Sequence, residues 1–501
     1  MRDSYILAID QGTSGSKVVL FDSNGQIAAK ATSPLQSRFP RPGFVEQDPE
    51  EIYQSVINAI GQCLENFRQQ NAATPDIAAC GISNQRETLV LWDKTGKPLC
   101  PAVVWQCKRS VAICTRLQNT DVETEVIQKT GLVIDPYFSG TKLLWLWEND
   151  SAIQQAIQSG EAYFGTVDTW LLYKLTDGKQ YYTDYTNASR TLLFNIDTLQ
   201  WDSDLLDRFC LKGLNLPEVR PSAYPYGQSN FEGLVPEPVK ITAMIGDSHA
   251  AAMGEGCFSP GTAKATMGTG CSILLNTGPK RIQSKEGMVT TICWSTLDRI
   301  DYALEGVIVT CGATVKWLRE QLGLFVDNKD TEAMAQSLQD SNGVALIPAF
   351  SGLGTPYWQM NLKAAIMGLT LDCTKTHIVR AALESIPIQI KDVIDTMHAD
   401  SGIALAGLNV DGGITANEFV MQFLADVLGV TVTNIGIEEV SALGAAYLAA
   451  LQAGIFKDLD ALKRIYHKKK IFYPGVGRTQ ANSAYRQYHQ YIKLLLGNNH
   501  R

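Results

Sequence analysis

The sequence predicts an α/β protein of two domains, and three observations carry that expectation. Short apolar runs alternate with amphipathic helical periods in both halves, the pattern of sheets covered by helices. A hairpin whose turn is rich in glycine and hydroxyls opens the chain and has a counterpart near its middle. The length of 501 residues suits about two or three domains of ordinary size.

The elements follow in order. Residues 5–10 (YILAID) read as a buried strand, 11–16 (QGTSGS) as a tight turn and 17–22 as the returning strand. Residues 50–68 carry helical apolar spacing, and 77–82 and 243–246 are apolar strands. Small residues and the glycines at 254 and 256 precede Pro260, which places the domain boundary near 253–259, giving domains 1–253 and 254–501. The second hairpin then spans 262–267, 268–270 and 271–275. A long amphipathic helix over 378–399, a strand over 406–410, a helix over 418–428 and a terminal helix over 485–495 complete the second half.

Composition removes several classes of function. With 43 Lys and Arg against 51 Asp and Glu the formal charge is −8, so no basic nucleic-acid footprint is expected. No run approaches the roughly 18 apolar residues of a membrane span, and MRDSYILAID has neither the charge nor the apolar core of a signal peptide. The expected location is the cytoplasm. Eleven cysteines are scattered singly, without zinc spacing, and read as reduced thiols. The basic run 467–470 reads as a solvated face.

Chemistry concentrates at the glycine turns. Asp10 closes a buried strand, and Gly12, Thr13, Ser14 and Ser16 follow, so backbone N–H groups and hydroxyls converge on an anion while the carboxylate faces a cation. Phosphate with Mg²⁺ is the simplest guest. One such loop alone reads more simply as a polar turn. A second at Gly268-Thr269-Gly270 and a third at Asp411-Gly412-Gly413 reverse that balance, the last bringing bare backbone close to a ribose or adenine. Neither a Walker A pattern nor a protein-kinase motif set occurs, so the nucleotide site is of another type. Asp247 follows the apolar run 243–246 and is expected at a strand end in the cleft, as general base, as a helix cap, or as both. Arg86 and Glu87, side by side after a strand, read by default as a weak surface pair, and Trp105 and Tyr137 as core aromatics.

These motifs, with Gly43 to Pro49, Asn84 to Thr88, Tyr137 to Trp145, Phe164 to Trp170, Thr183 to Thr191 and Ala442 to Tyr447, resemble the FGGY carbohydrate kinases over nearly the whole chain, most closely the members that phosphorylate glycerol. The resemblance implies two RNase H-like domains of the actin/hexokinase/heat-shock ATPase fold with a catalytic cleft between them. It implies transfer of the ATP γ-phosphoryl group to a primary hydroxyl of glycerol or a near relative. Asp247 becomes the catalytic base. Arg86, Glu87, Trp105, Tyr137, Asp247, Ser248 and Ser272 become the acceptor-binding set. Gly12, Thr13, Ser14, Lys17, Thr269, Gly270, Gly312, Gly412, Gly413 and Asn417 become the ATP contacts, with Asp10 and Asp247 holding Mg²⁺. A homodimer or homotetramer is implied as well.

The departures from the family pattern are informative. Ser248-His249 stand where Gln-Gln is usual and Ser272 where Phe is usual, so the acceptor pocket is expected to be wider and more polar, open to a tetritol, pentitol or pentulose. Lys17 replaces an Arg, which keeps charge and loses a fork. The Gly-Gly-Thr-Arg loop of bisphosphate-regulated members is missing between Gly227 and Ile241, as is the His that others have phosphorylated, so neither regulation is expected. A chaperone- or filament-type ATPase of the same fold and a non-catalytic sugar sensor are the rival readings.

Overall fold

A computed structural model describes residues 4–359, 361–465 and 470–497. Two large mixed sheets dominate, and they repeat one order. In the first, Ile27–Pro34, Gly15–Phe21 and Ser4–Gly12 run antiparallel in turn. Ser4–Gly12 then pairs parallel with Asp76–Asn84, and that strand pairs parallel with Val239–Gly246; Ala223–Ser229 closes the edge. In the second, Ile300–Ile308, Cys271–Gly278 and Thr262–Met267 run antiparallel, and Gly407–Asp411 and Val432–Asn434 follow in parallel. Edge strands Val289–Ser295 and Lys470–Phe472 flank them. The recurrence legible in the two hairpins therefore extends to five strands.

The opening strand shows why both of its faces are covered. Successive side chains alternate sides. Leu7 and Ile9 join Ile52, Val56, Ile60 and Phe67 of helix Pro49–Asn71, whereas Ile6 and Ala8 join Ala445, Leu448 and Ala449 of helix Val440–Gln452. A nearly continuous apolar run is what a doubly covered strand needs. Helix Pro49–Asn71 starts where Asp48 accepts the Glu50 N–H with Pro49 in the first turn, and ends at Ala72 in the left-handed region. A cap of this kind explains why Lys375–Ser401 outruns its apolar period: it begins at a Thr374–His377 capping box and ends at Gly402. The last helix runs Arg478–Gly497.

Helix Val440–Gln452 belongs to the second half of the chain yet lies on the first sheet. Its small residues permit this. A Cβ on Gly444 would sit 1.8 Å from Ala250 O, so it crosses helix Asp247–Gly254 backbone to backbone. The expected boundary at 253/254 falls at the end of that second helix.

A third body was not legible in the sequence. Glu46–Gln47, Ala102–Val103, Leu89–Trp92 and Tyr163–Thr166 form a small four-stranded sheet with its own apolar cluster. It carries Trp105 and Tyr137 as partly buried members of that cluster. All eleven cysteines are free. Among the described residues, no helix is long and apolar enough to cross a membrane. His467 to Lys469 of the basic run lie outside the described residues, and Lys470 pairs with Glu418.

Candidate functional site

Three parallel strands end at one level. Asp10 lies beside Ser83 in the ladder, and Ser83 beside Ile245. Ser83 Oγ donates to Asp10 Oδ1 at 2.9 Å. Asp247, the first residue of helix Asp247–Gly254, follows just beyond the row, with Oδ1 accepting the Ser248 N–H at 2.6 Å and lying 3.3 Å from Arg86 Nε. Burial first, and then the negative charge of Asp247, lift the Asp10 carboxyl from its ordinary 3.8 to about 6. The two acids, distant in sequence, lie close enough to act on each other.

The first glycine turn continues directly from the strand that carries Asp10. Gly12 pairs with Gly15, leaving Thr13 and Ser14 at the tip. Thr13 Oγ1 accepts Trp105 Nε1 at 2.8 Å, and Gln47 Nε2 donates to Thr13 O at 2.7 Å, which ties the turn to the small third body. Ser14 is exposed. Ser16 corrects the expectation that its hydroxyl joins the others: strand alternation turns it inward, where its Oγ lies 2.7 Å from Ser55 Oγ. Lys17 faces Asp10 in the ladder and gives its Nζ to Glu439 Oε2 at 2.9 Å.

The second turn is built the same way. Met267 pairs with Cys271, leaving Gly268, Thr269 and Gly270 free of the ladder. Helix Gly312–Glu320 starts directly on it: Gly312 N donates to Gly268 O and Cys311 N to Thr269 O, both at 2.9 Å. Gly412 abuts the same turn with φ +93°, and a Cβ there would meet Met267 O at 2.4 Å, so only glycine fits without strain. Beyond it Asn417 caps helix Glu418–Leu428 by accepting the Val420 N–H at 3.1 Å and donates to Thr331 Oγ1. Gly413 and Asn417 line a cavity of about 150 Å³ together with Val315, Asn328, Thr331 and Leu383. Sequence reading found the first two of these and missed the others, which sit on helices or loops with no motif of their own.

Beside Asp247, Arg86 and Glu87 are buried rather than exposed. Glu87 is held in the left-handed region at φ 59°, a strained conformation for a carboxylate residue of this size. Arg86 Nη2 meets Glu305 Oε1 at 3.1 Å, Arg190 Nη1 meets Glu305 Oε2 at 2.6 Å, and Arg190 Nε meets Glu87 Oε1 at 2.6 Å. Burial works against the Arg86 charge, but Glu305 and Glu87 outweigh it. Burial likewise raises Glu87, against the pull of Arg86 and Arg190. For Glu305 the two guanidinium groups overcome burial and hold it well below the usual carboxylate range. Tyr137 stands edge-on to Trp105 at 5.5 Å, and the Arg190 guanidinium lies 5.9 Å from the Tyr137 ring.

Ser248 and Ser272 do meet: their hydroxyl oxygens are 3.2 Å apart, and buried Lys264 donates to Ser248 Oγ at 2.8 Å and to Thr266 Oγ1 at 3.0 Å. His249 is fully buried, 3.3 Å from Thr291 Oγ1, with burial and then Arg86 pushing its proton affinity well down, so it is a packed neutral ring.

Known proteins match this architecture. Residues 5–254 match the sequence profile of the N-terminal domain of the FGGY family of carbohydrate kinases, and residues 263–453 that of its C-terminal domain. The chain is 45% identical to a glycerol kinase of Carboxydothermus hydrogenoformans over 97% of each chain, and 44% identical to one of Shewanella frigidimarina over 99% of this chain and 98% of that one. Among solved structures, Plasmodium falciparum glycerol kinase with ADP superposes with a TM-score of 0.94 at 35% identity, covering 99% of both chains. A xylulose kinase from Lactobacillus acidophilus, 22% identical over 98% of both chains, shares the fold with a TM-score of 0.87. Because the two profile matches fall on the two sheets that carry these turns and strand ends, the chain belongs to the FGGY family of carbohydrate kinases and is an ATP-dependent kinase.

Proposed function

We propose that the chain transfers the γ-phosphoryl group of ATP to a primary hydroxyl of glycerol or a closely related polyol. The observation that carries this reading is the Arg86 guanidinium, which lies 3.3 Å from Asp247 Oδ1 and shares Glu305 with the arginine that binds Glu87. A polyol presents adjacent hydroxyls with C–H faces between them. Arg86 donates to one hydroxyl, Glu87 accepts from the next, and Trp105 and Tyr137 cover the carbons. Asp247 accepts the proton of the attacking hydroxyl, and positioning does most of the remaining work.

Thr13, Ser14 and the Gly12 backbone take the phosphates from one side, with Lys17 as the nearby cation, while Thr269, Gly270 and Gly312 take them from the other. Gly412, Gly413 and Asn417 receive the adenosine. The residues fit a divalent cation: Asp10 is an acid whose proton affinity burial and Asp247 already raise, so a positive charge beside it is favoured. Mg²⁺ held there by Asp10 and Asp247 would draw charge from the phosphoryl oxygens. Closure of the cleft excludes water. A cytoplasmic homodimer or homotetramer is the expected form, which sedimentation velocity would check.

The Ser248, Ser272 and Lys264 cluster favours a second reading, a kinase for a tetritol, pentitol or pentulose. Small hydroxyls backed by an ammonium leave room and polarity for further hydroxyls. The deciding experiment is ADP release with glycerol, erythritol, xylitol, ribulose and xylulose. Turnover of glycerol at the highest kcat/KM supports the first reading, and failure with glycerol but turnover of a longer substrate rejects it in favour of the second.

A further inference from the structure

Among the described residues, Glu305 is the carboxylate of the second sheet that enters the charged cluster beside Asp247. It lies in strand Ile300–Ile308, opposite Leu274 and Val289, and is 3% exposed. Its Oε2 takes Arg190 Nη1 at 2.6 Å and its Oε1 takes Arg86 Nη2 at 3.1 Å. Both arginines belong to the first half of the chain. Arg190 passes the constraint to Glu87 through Nε at 2.6 Å, and Arg86 passes it toward Asp247 Oδ1 at 3.3 Å. A guanidinium is a rigid plane, so fixing one edge fixes the direction of the other.

We propose that Glu305 is a positioning residue for phosphoryl transfer: from the second domain it sets the planes of Arg86 and Arg190, and through them Glu87 and Asp247, so the acceptor site is complete only when the domains adopt this arrangement. The proposal rests on the acceptor roles given above to Arg86, Glu87 and Asp247. The nucleotide turns at 12–14 and 268–270 lie outside this relay, so nucleotide affinity is separable from it. A merely structural acid would lower the folded fraction and leave the KM of folded enzyme unchanged.

The test compares the full-length parent with Glu305→Gln, which removes the charge at constant shape, and Glu305→Asp, which keeps the charge and withdraws it by one methylene. For Glu305→Gln the expected loss in polyol kcat/KM is about 100-fold, the size of an ~1 Å misplacement, with polyol KM raised and ADP affinity by calorimetry within about twofold. Glu305→Asp should recover part of the loss. Hydrogen exchange supplies a readout independent of substrate: segments 84–88 and 187–191 should exchange faster in Glu305→Gln. Unchanged polyol KM, or unchanged exchange in those segments of a folded variant, overturns the proposal. If Glu305→Gln fails to fold, Glu305→Asp carries the same comparison, and parental KM and exchange in it are equally fatal. A parent without polyol-dependent ADP release rejects the functional reading, whereas the exchange result then still decides whether Glu305 locks the two arginines.

Discussion

Asp10→Asn should make the ligand-free protein more stable while removing its activity. The native carboxyl titrates at about 6 against an ordinary 3.8, raised by burial and by Asp247. A carboxyl whose native value lies above its unfolded value is stabilising in its protonated form only. That contribution is complete below the unfolded value and is lost as pH rises through the native one. Above pH 7 the ionised Asp10 therefore costs the folded state about 3 kcal/mol, at 1.36 kcal/mol per unit of difference. At pH 5 the cost is roughly half of that, and near pH 4 about a fifth remains. Asparagine keeps an oxygen for the Ser83 hydroxyl and carries no charge, so its advantage should follow the same curve. Thermal or urea unfolding in EDTA at pH 4, 5 and 8 measures it, and adding Mg·ADP at pH 8 should stabilise the parent more than the variant. A variant less stable than the parent at pH 8, or a difference independent of pH, would refute the reasoning.

Three further expectations follow from the same geometry. Asp247→Asn should lower kcat by about 10²- to 10⁴-fold, the range of a lost general base, while ADP still raises the melting temperature as it does in the parent. Gly412→Ala forces a side chain into φ +93° and to 2.4 Å from Met267 O, so ADP affinity by calorimetry should fall and stability drop by about 1–3 kcal/mol; parental affinity would remove that loop from the nucleotide site. Ser272→Phe fills the space beside Ser248 and should shift kcat/KM toward glycerol over pentitols by about 10- to 200-fold, the worth of apolar fit in a pocket.

What the sequence discloses and what it hides divide along physical lines. Asp10, the two glycine turns and Asp247 are legible because a buried strand that ends in an acid, or a turn with several glycines, is locally unusual. The strand order of both sheets could be half read, since each hairpin is local and each parallel partner is not. Glu305 and Lys264 do not stand out in the sequence, because a charged residue within a strand pattern reads as solvent-facing and only tertiary pairing shows it buried, and Arg190 sits in the turn after helix Tyr185–Ala188, where no period applies. Arg86 and Glu87 illustrate the same limit, since adjacent opposite charges default to a weak surface pair. The four-stranded body that carries Trp105 and Tyr137 has strands of two to four residues, too short for a period. Helix Val440–Gln452 is apolar and small all round, so nothing in its pattern says that it crosses to the first sheet.

Several costly features of this molecule lie together beside Asp247. A buried lattice of Arg86, Arg190, Glu87 and Glu305 is weak evidence for stability, because apolar groups of similar volume serve a core as well or better. Glu87 in a left-handed backbone and an ionised Asp10 beside Asp247 are further penalties within the same few residues. Other buried charges occur away from this lattice, among them Asp168 beside Asp184, Lys142 and the Arg380–Glu384 pair. Buried charges held in fixed places are what an electrostatically preorganised site requires, since hydroxyls and phosphoryl oxygens must meet fixed charges that water would otherwise have to reorganise around. The Asp10→Asn and Glu305→Gln variants test the two halves of that argument separately. The first removes a penalty and should gain stability; the second takes from two buried cations the carboxylate they share and should lose it.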